Sequence, residues 1–312
     1  WAPPHQPDKL SYDYDGAGQI LRKSVSIQGR SVGTAGHEYD GAGRLIAHTA
    51  PDGTISRYFH DSAGRLIRTE RALQAVPAGQ PLAGESQSLI THYRYDDDDL
   101  LTAIAHVRRI GASADTDTVL AGQALSRAPG GAITQLRTYR GGAETAPALR
   151  YDSASGQFSG AAWQQHDYEY DANARLTRET ITAAAGALIT DTRYRYDSVG
   201  NRIGRAVTDS AGTTHSSYEY DSADRLVRES TLAPGAASAA VTVYGWDAAG
   251  RLASRSEGSG RTVLYRWDGA SRLIDLRTGA SAAQASAAAP LIRYGYDADG
   301  QRVRKHVADS AS

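Results

Sequence analysis

Large and polar residues alternate along most of the chain in short runs, and each run ends at an aspartate. In the run that ends at Asp197, Tyr194 and Tyr196 lie two residues apart, so both rings leave the same face of an extended strand. Alternation resumes after the turn; in an earlier run, Arg44 and Leu45 point to opposite faces of the next strand. Helical patterns with caps are scarce, and the Ala-rich stretches lack a periodic apolar face. The pattern predicts an almost all-β chain.

These runs are copies of one unit, Y-x-[YW]-D-x-x-G-R-[LIV]. From Asp171 to Asp297 the anchoring aspartates follow one another at intervals of 26, 24, 26, 21 and 29 residues. Ten copies are recognisable, and such regular self-similarity is typical of a repeat architecture. The residues that we predict to form the structural signature of the repeat are Tyr12, Tyr14, Asp15, Gly18, Tyr39, Asp40, Gly43, Tyr58, Asp61, Gly64, Tyr93, Tyr95, Asp96, Tyr168, Tyr170, Asp171, Tyr194, Tyr196, Asp197, Gly200, Tyr218, Tyr220, Asp221, Tyr244, Trp246, Asp247, Gly250, Tyr265, Trp267, Asp268, Tyr294, Tyr296, Asp297 and Gly300.

Each unit is predicted to be a β-hairpin. The aspartate opens the turn, where its carboxylate can accept hydrogen bonds from backbone N–H groups ahead of it. Three residues later a glycine such as Gly200 supplies a positive φ at little steric cost. In four units another residue replaces this glycine. Alanine tolerates the left-handed region poorly, so we expect a shifted turn at Ala174. The four replacements are Asp99, Ala174, Asp224 and Ser271.

The repeats divide the chain into three regions. Four copies lie in residues 1–96, degenerate repeats with long loops occupy residues 97–167, and six copies lie in residues 168–312. Within the middle region, residues 111–131 are expected to form a loop with at most one helical turn. Residues 232–240 and 279–290 are expected to be long exposed loops.

The composition narrows the classes of function. Lys and Arg total 34 and Asp and Glu 35, so the chain lacks the basic excess of a nucleic-acid binder. Cysteine is absent, which excludes disulfides and thiolate chemistry. No apolar run approaches the roughly 20 residues of a membrane helix. The 18 tyrosines against 2 phenylalanines suit a surface that is partly packed and partly wet. A start at Trp1 without any Met suggests a piece of a longer protein.

We find no catalytic motif: HExxH, GxSxG, the P-loop and GxGxxG are all missing. We therefore predict no catalytic residue, no cofactor and no metal. The four aspartates at residues 96–99 could bind calcium, but a solvated acidic turn is the favoured interpretation.

Aromatic and basic repeat positions admit a binding interpretation and a structural one. Trp246 and Trp267 could stack on sugars, although their periodic placement favours packing within a sheet. Repeat arginines could bind anions, but cross-strand pairing with a carboxylate is favoured. Those arginines include Arg175, Arg225 and Arg251.

Three stretches carry a family resemblance. YEYDSADRLVRE (residues 218–229), YRYDSVGNRI (194–203) and YGYDADGQRVRK (294–305) resemble the YD repeats of the RHS family. That family includes bacterial polymorphic toxins of contact-dependent and type VI secretion, insecticidal toxin complex subunits and teneurins. The resemblance implies a ribbon of β-hairpins that spirals into a hollow shell, or β-cage, which in the toxins encloses a C-terminal cytotoxic domain. It also implies a self-cleaving core domain with a DPxG motif. No Asp-Pro dipeptide occurs, so we expect the chain to end before that core.

The leading hypothesis is a structural, non-enzymatic segment of a bacterial toxin shell, because an Ala/Gly/Arg-rich composition favours a toxin over a teneurin. Its expected partners are the rest of the shell, the enclosed toxin domain and components of a secretion apparatus, with no nucleic acid and no membrane span. Such a protein is made in the cytoplasm, then secreted or delivered at the cell surface in interbacterial competition. The alternative function is a cell-surface module that binds carbohydrate or protein. A compact array of two-sheet sandwiches is the competing architecture.

Overall fold

The computed structural model describes residues 9–73, 87–111, 117–141, 149–160 and 163–308. Strands account for nearly all regular structure in these residues, which confirms the predicted all-β class. The elements are β1 (Lys9–Tyr14), β2 (Ile20–Ile27), β3 (Arg30–Tyr39), β4 (Leu45–Thr49), β5 (Ile55–His60), β6 (Leu66–Ala72), β7 (Gln87–Tyr95), β8 (Leu101–Ile110), β9 (Thr118–Arg127), β10 (Ile133–Arg140), β11 (Arg150–Asp152), β12 (Gln157–Ser159), β13 (Gln164–Tyr170), β14 (Leu176–Ala183), β15 (Leu188–Tyr196), β16 (Arg202–Asp209), β17 (Gly212–Tyr220), β18 (Leu226–Leu232), β19 (Ala240–Trp246), β20 (Leu252–Glu257), β21 (Thr262–Trp267), β22 (Leu273–Gly279), α1 (Ala282–Ala287), β23 (Ile292–Tyr296) and β24 (Arg302–Val307).

The chain divides into two compact units. The first comprises residues 1–167 and 181–187, and the second comprises residues 168–180 and 188–312. In the first unit, each strand from β1 to β10 pairs antiparallel with the next, and β10 then pairs with β13. In the second unit, each strand from β15 to β24 pairs antiparallel with the next. Each unit is therefore a ladder of consecutive hairpins, in place of the competing sandwich array.

A β-bulge recurs in the hairpins that carry the repeat signature. In the β15–β16 hairpin the register shifts between Arg195 and Tyr196, so that Tyr196 lies opposite Arg202. The β19–β20 hairpin shifts at the matching place, next to Trp246. A type I turn followed by a residue with positive φ produces this bulge, which increases the local twist. The D-x-x-G part of the repeat is therefore the sequence of a bulged hairpin turn.

The most deeply buried cluster lies in the first unit, where a second layer covers the ladder. The β11–β12 hairpin forms a separate two-stranded sheet. Its Tyr151 and Phe158, with Leu149 just before it, pack on a buried cluster that includes Ile90 and Val107. Most other strand residues are half-buried or exposed, as expected for a single-layer wall with two wet faces.

Two of the expected loops contain regular structure. Residues 111–131 include the ten-residue strand β9, whose Val119 is buried and pairs with Val107 of β8. Residues 279–290 include the short helix α1, which begins after Ser281; the Ser281 side chain accepts a hydrogen bond from the Gln284 N–H. Ala285 is fully buried there, so tertiary contact stabilises a segment without a periodic apolar face. The expected exposed segment between β18 and β19 is confirmed.

Candidate functional site

The ten signature aspartates open one type of turn. At Asp247, the backbone N–H donates to the Arg251 carbonyl at 2.9 Å, and the Gly250 N–H donates back to the Asp247 carbonyl at 2.9 Å. The carboxylate oxygen Oδ1 accepts from the backbone N–H groups of Ala249 and Arg251, both at 2.9 Å. The predicted turn chemistry is therefore present, and each aspartate satisfies backbone donors that the bulge leaves outside the ladder.

The residue at positive φ is not always glycine, and the turn does not shift where it is not. Ala174 has a φ of 58°, and its N–H donates to the Asp171 carbonyl at 3.0 Å as in the other units. The expectation of a shifted turn at Ala174 is therefore wrong. The hydrogen bonds of the turn compensate for the strain of about 1–2 kcal/mol that an L-residue incurs there.

At the three other replacements, the side chain accepts a hydrogen bond from the preceding repeat. The donor is in each case the residue four positions after the preceding signature aspartate. These contacts are Arg65 Nη1 to Asp99 Oδ1 (2.6 Å), Asn201 Nδ2 to Asp224 Oδ1 (2.8 Å) and Arg251 Nη1 to Ser271 Oγ (3.4 Å). A polar residue at this position therefore links neighbouring turns, which glycine cannot do with a side chain.

The repeat arginines pair with a carboxylate, but not across strands as predicted. Arg251 Nε donates to Oδ2 of Asp247, the aspartate of its own turn, at 2.7 Å. Its Nη1 then donates to the backbone carbonyl of Asp268 in the next turn at 2.9 Å. The arginine thus closes one turn and joins it to the next. The ion pairs of this type are Arg44–Asp40, Arg65–Asp61, Arg175–Asp171, Arg225–Asp221, Arg251–Asp247 and Arg272–Asp268.

In seven repeats, the second aromatic residue of the signature joins its hairpin to the one before it. Trp246 donates its indole N–H to the Leu226 carbonyl at 2.9 Å, and Tyr196 donates its hydroxyl to the Leu176 carbonyl at 2.8 Å. In every case the acceptor lies five residues after the preceding signature aspartate. The residues that make this bond are Tyr39, Tyr95, Tyr196, Tyr220, Trp246, Trp267 and Tyr296.

Five of these aromatic rings, those of Tyr95, Tyr196, Trp246, Trp267 and Tyr296, also contact the arginine of the preceding repeat. The guanidinium of Arg175 lies 4.9 Å from the ring centroid of Tyr196, and that of Arg251 lies 5.9 Å from the centroid of Trp267. Sequence reasoning did not find these partners. The sequence did contain a signal, since Tyr is exchanged with Trp at this position and never with Phe. Tyr and Trp share a polar hydrogen that Phe lacks, so the exchange indicates a hydrogen bond.

The first aromatic residues have more varied surroundings. Tyr218 is buried, whereas the Tyr244 hydroxyl donates to Glu229 Oε2 at 3.2 Å. Tyr12 is exposed, and so is Tyr14, the second aromatic residue of the same repeat. His60, which replaces the second aromatic in one unit, has a buried Nδ1 without a hydrogen-bond partner among the described residues. The structure therefore gives the strongest common role to the aspartate, the arginine and the second aromatic.

Two kinds of site are missing from the described part of the chain. No group of three or more His, Cys, Asp or Glu side chains there is arranged to hold a metal ion. The described part of the chain also has no helix that is long and apolar enough to cross a membrane.

Hydrogen bonding lowers the pKa of the turn carboxyls that face an arginine. For Asp247 and Asp268 the largest cause is the backbone N–H of the arginine four residues on, and for Asp221 it is the guanidinium of Arg225. Both donors favour the charged form of the carboxylate. The same direction holds at Asp40, Asp61 and Asp171.

We expect the fold to lose stability below about pH 4, the ordinary pKa of an aspartate. There the unfolded chain takes up protons that the folded turns resist, so stability present above that pH is lost as pH falls through the lowered folded-state values. Thermal melting between pH 7 and pH 3 measures this loss. The Asp247→Asn/Asp268→Asn double variant should show a shallower slope. A melting midpoint that stays constant from pH 4.5 to pH 3 would contradict the assignment.

Comparisons with known proteins identify relatives of this architecture. Two family models match the sequence: RHS Repeat over residues 39–74 and Teneurin YD-shell over residues 154–311. Toxin protein Tse5 of Pseudomonas aeruginosa is 28% identical over 194 residues, which are 61% of this chain and 14% of Tse5. The chain therefore spans a small part of the length of that relative.

Two solved structures align with most of the chain at low TM-scores. The crystal structure of TcdB2-TccC3-Cdc42 aligns with a TM-score of 0.39 and 14% identity, over 96% of this chain and 20% of that chain. A porin-like protein from Bacteroides uniformis aligns with a TM-score of 0.29 and 12% identity, over 87% of this chain and 92% of its own.

Proposed function

The chain belongs to the Teneurin YD-shell family, and from this premise we propose that it forms part of the wall of a bacterial toxin shell. The wall is structural and has no catalytic role. Its partners are the remaining hairpins of the same shell and a cytotoxic domain enclosed at the C-terminal side. The similarity to Toxin protein Tse5 supports a toxin context.

One observation carries the proposal: the aspartate, the arginine and the second aromatic of the repeat form the turns and the bonds between neighbouring hairpins. The indole N–H of Trp246 and the guanidinium of Arg251 both donate to a backbone carbonyl of a neighbouring repeat. Asp247 is held by its own turn and by Arg251. The side chains that could have carried chemistry are thus engaged in building a continuous wall, as expected where each repeat is stabilised by its neighbours.

The alternative of a carbohydrate-binding module needs aromatic faces that are free to stack. The rings of Trp246 and Trp267 instead have the guanidinium groups of Arg225 and Arg251 over them, each 5.9 Å from the ring centroid. Their indole N–H groups are bound to carbonyls of the preceding hairpins. This engagement favours the wall over the module.

Confinement has a clear use for a producing cell, because a toxin held inside a shell cannot reach its target before delivery. We propose that the protein is made in the cytoplasm and exported in interbacterial competition, with type VI secretion as the route. Components of the secretion apparatus are then further partners.

Protease protection in the full-length gene product tests the proposed function. The C-terminal part should resist trypsin in the wild-type protein and become accessible in the Trp246→Ala/Trp267→Ala variant, because the wall opens between hairpins. Trp163→Ala is the matched control, since Trp163 is 51% exposed and lies outside the signature. Equal cleavage of the C-terminal part in the wild type and the double variant would overturn the proposal.

A further inference from the structure

A row of residues crosses the face of the first unit that carries the β11–β12 hairpin. Arg68 lies directly opposite Phe59 on one side and His92 on the other, and His92 lies opposite Ala105. Directly opposed residues in antiparallel strands share a face. The hairpin covers the row from His92 onward, where the ring of Tyr151 lies 5.5 Å from the His92 ring. Arg68 is therefore at the edge of the covered area.

Two cavities meet at this edge. Their volumes are about 750 Å³ and about 770 Å³, within the 300–1,000 Å³ that small-molecule sites occupy. Both are lined by Arg68, His92, Tyr151 and Ser153. The β11–β12 hairpin thus forms a roof over a space that a ligand larger than a single ion could fill.

Arg68 is half-buried, and one nitrogen of its guanidinium is left without the partner that a buried donor normally has. Its Nε is buried without a hydrogen-bond partner among the described residues, and its Cζ lies 3.7 Å from the ring centroid of Phe59. A buried donor left unpaired costs about 1–3 kcal/mol. The Arg94 side chain, packed against Gly156 of the roof, adds a second positive charge to the first cavity.

Four of the five acidic residues that line the two cavities are hydrogen-bonded to other groups, and Asp97 is the exception among the described residues. Asp117 receives two hydrogen bonds from Arg109, at 2.7 and 2.8 Å. Asp61 accepts a hydrogen bond from Arg65 Nε at 2.7 Å, and Asp152 accepts one from the Ser155 hydroxyl at 2.6 Å. Asp96 accepts two backbone N–H groups of its turn, and Asp97 also lines the first cavity.

Two neutral groups that line both cavities, His92 and Tyr151, have shifted pKa values. Burial, followed by the charge of Arg68, lowers the pKa of His92 to about 4, so His92 is neutral at pH 7. Burial raises the pKa of the Tyr151 hydroxyl. Neutral imidazole and phenol groups can each donate one hydrogen bond to an anion. Perturbed groups gathered in a cleft are typical of a binding or active site.

We propose that the space beneath the β11–β12 hairpin binds a ligand that carries an oxyanion, either a carboxylate or a phosphate, with the Arg68 guanidinium as its principal contact. His92, Tyr151 and Arg94 surround the anion, and the remaining cavity volume accommodates the body of the ligand. This site is independent of the wall function, because its central residues lie outside the repeat signature.

Titration of the 312-residue chain with inorganic phosphate and, separately, with acetate tests the proposal. The imidazole NMR signals of His92 should shift with saturation, and the pKa of His92 should rise as the anion stabilises its charged form. A response to phosphate alone assigns a phosphate ligand, and a response to acetate alone assigns a carboxylate. If neither anion causes a saturable shift of the His92 signals, the proposal is overturned, and this test needs no variant protein.

Substitution identifies the contact. Arg68→Gln should weaken binding at least tenfold, whereas Arg205→Gln, which removes an exposed arginine on β16 of the second unit, should leave it unchanged. His92→Gln, read by calorimetry, serves as a second variant if Arg68→Gln unfolds. Binding that survives both cavity substitutions, or falls equally in the Arg205→Gln control, would show that the anion binds elsewhere.

Discussion

Replacement of Trp246 by alanine is expected to lower the free energy of unfolding by about 3 kcal/mol, the lower end of the range for deleting a large aromatic side chain. Trp246 is only half-buried, which places it at that end. Two interactions disappear with it: the indole hydrogen bond to Leu226 and the contact with the Arg225 guanidinium. Both join one hairpin to its predecessor, so the loss should separate β18 from the hairpin that follows.

A graded series at this position isolates the hydrogen bond from the packing. Trp246→Tyr should be nearly neutral, because Tyr196 makes the same bond to Leu176 in another repeat. Trp246→Phe keeps a ring but removes the donor, and should cost about 1 kcal/mol. Urea unfolding gives the order, and amide hydrogen exchange in β18–β20 locates the loss. Equal stability of the Phe and Tyr variants would contradict the assigned role.

Gly122→Ala is expected to destabilise the first unit by about 1–3 kcal/mol through overpacking. A Cβ at residue 122 would overlap the ring of Phe158 in the roof hairpin, and it would also lie 3.1 Å from the Ile104 carbonyl oxygen. Phe158 stacks on Tyr139 with centroids 4.2 Å apart, so the ring cannot move freely. Glycine within a strand thus permits a close approach of the second layer.

Phe158→Ala provides the matched test of this overlap. Alone it should destabilise the roof hairpin, because the stack with Tyr139 and the contact with Gly122 are lost. The Gly122→Ala/Phe158→Ala double variant should be more stable than the sum of the two single effects predicts, since the smaller side chain makes room for the added methyl. Thermal melting of the four proteins completes the cycle. Strict additivity would show that the two residues do not touch.

The hairpins were predictable because their chemistry is local. A turn aspartate, a residue with positive φ three positions later and alternating strands all lie within about a dozen residues of sequence. The aspartate that opens each turn and the β character of the chain therefore follow directly from the pattern. The conformation of Ala174 did not, because the ranking of residues in the left-handed region is a weak preference that the hydrogen bonds of Asp171 override.

The contacts between repeats were not predictable to the same degree. The partner of Arg251 in the next turn and the carbonyl acceptor of Trp246 are defined only when hairpins are stacked. Strand β9 and helix α1 were missed because their stability comes from Val107 and from β22, which lie elsewhere in the sequence. The Arg68 cavity has no sequence motif; it arises where a degenerate hairpin folds over the ladder.

Electron cryomicroscopy of the full-length gene product tests the central claim most directly. The account predicts that the described residues lie in the wall of a closed shell, with hairpins joined through the second aromatic of the repeat, and that polypeptide density from the C-terminal domain fills the interior. A map in which these residues form a separate solid domain, with the C-terminal domain outside it, would contradict the account.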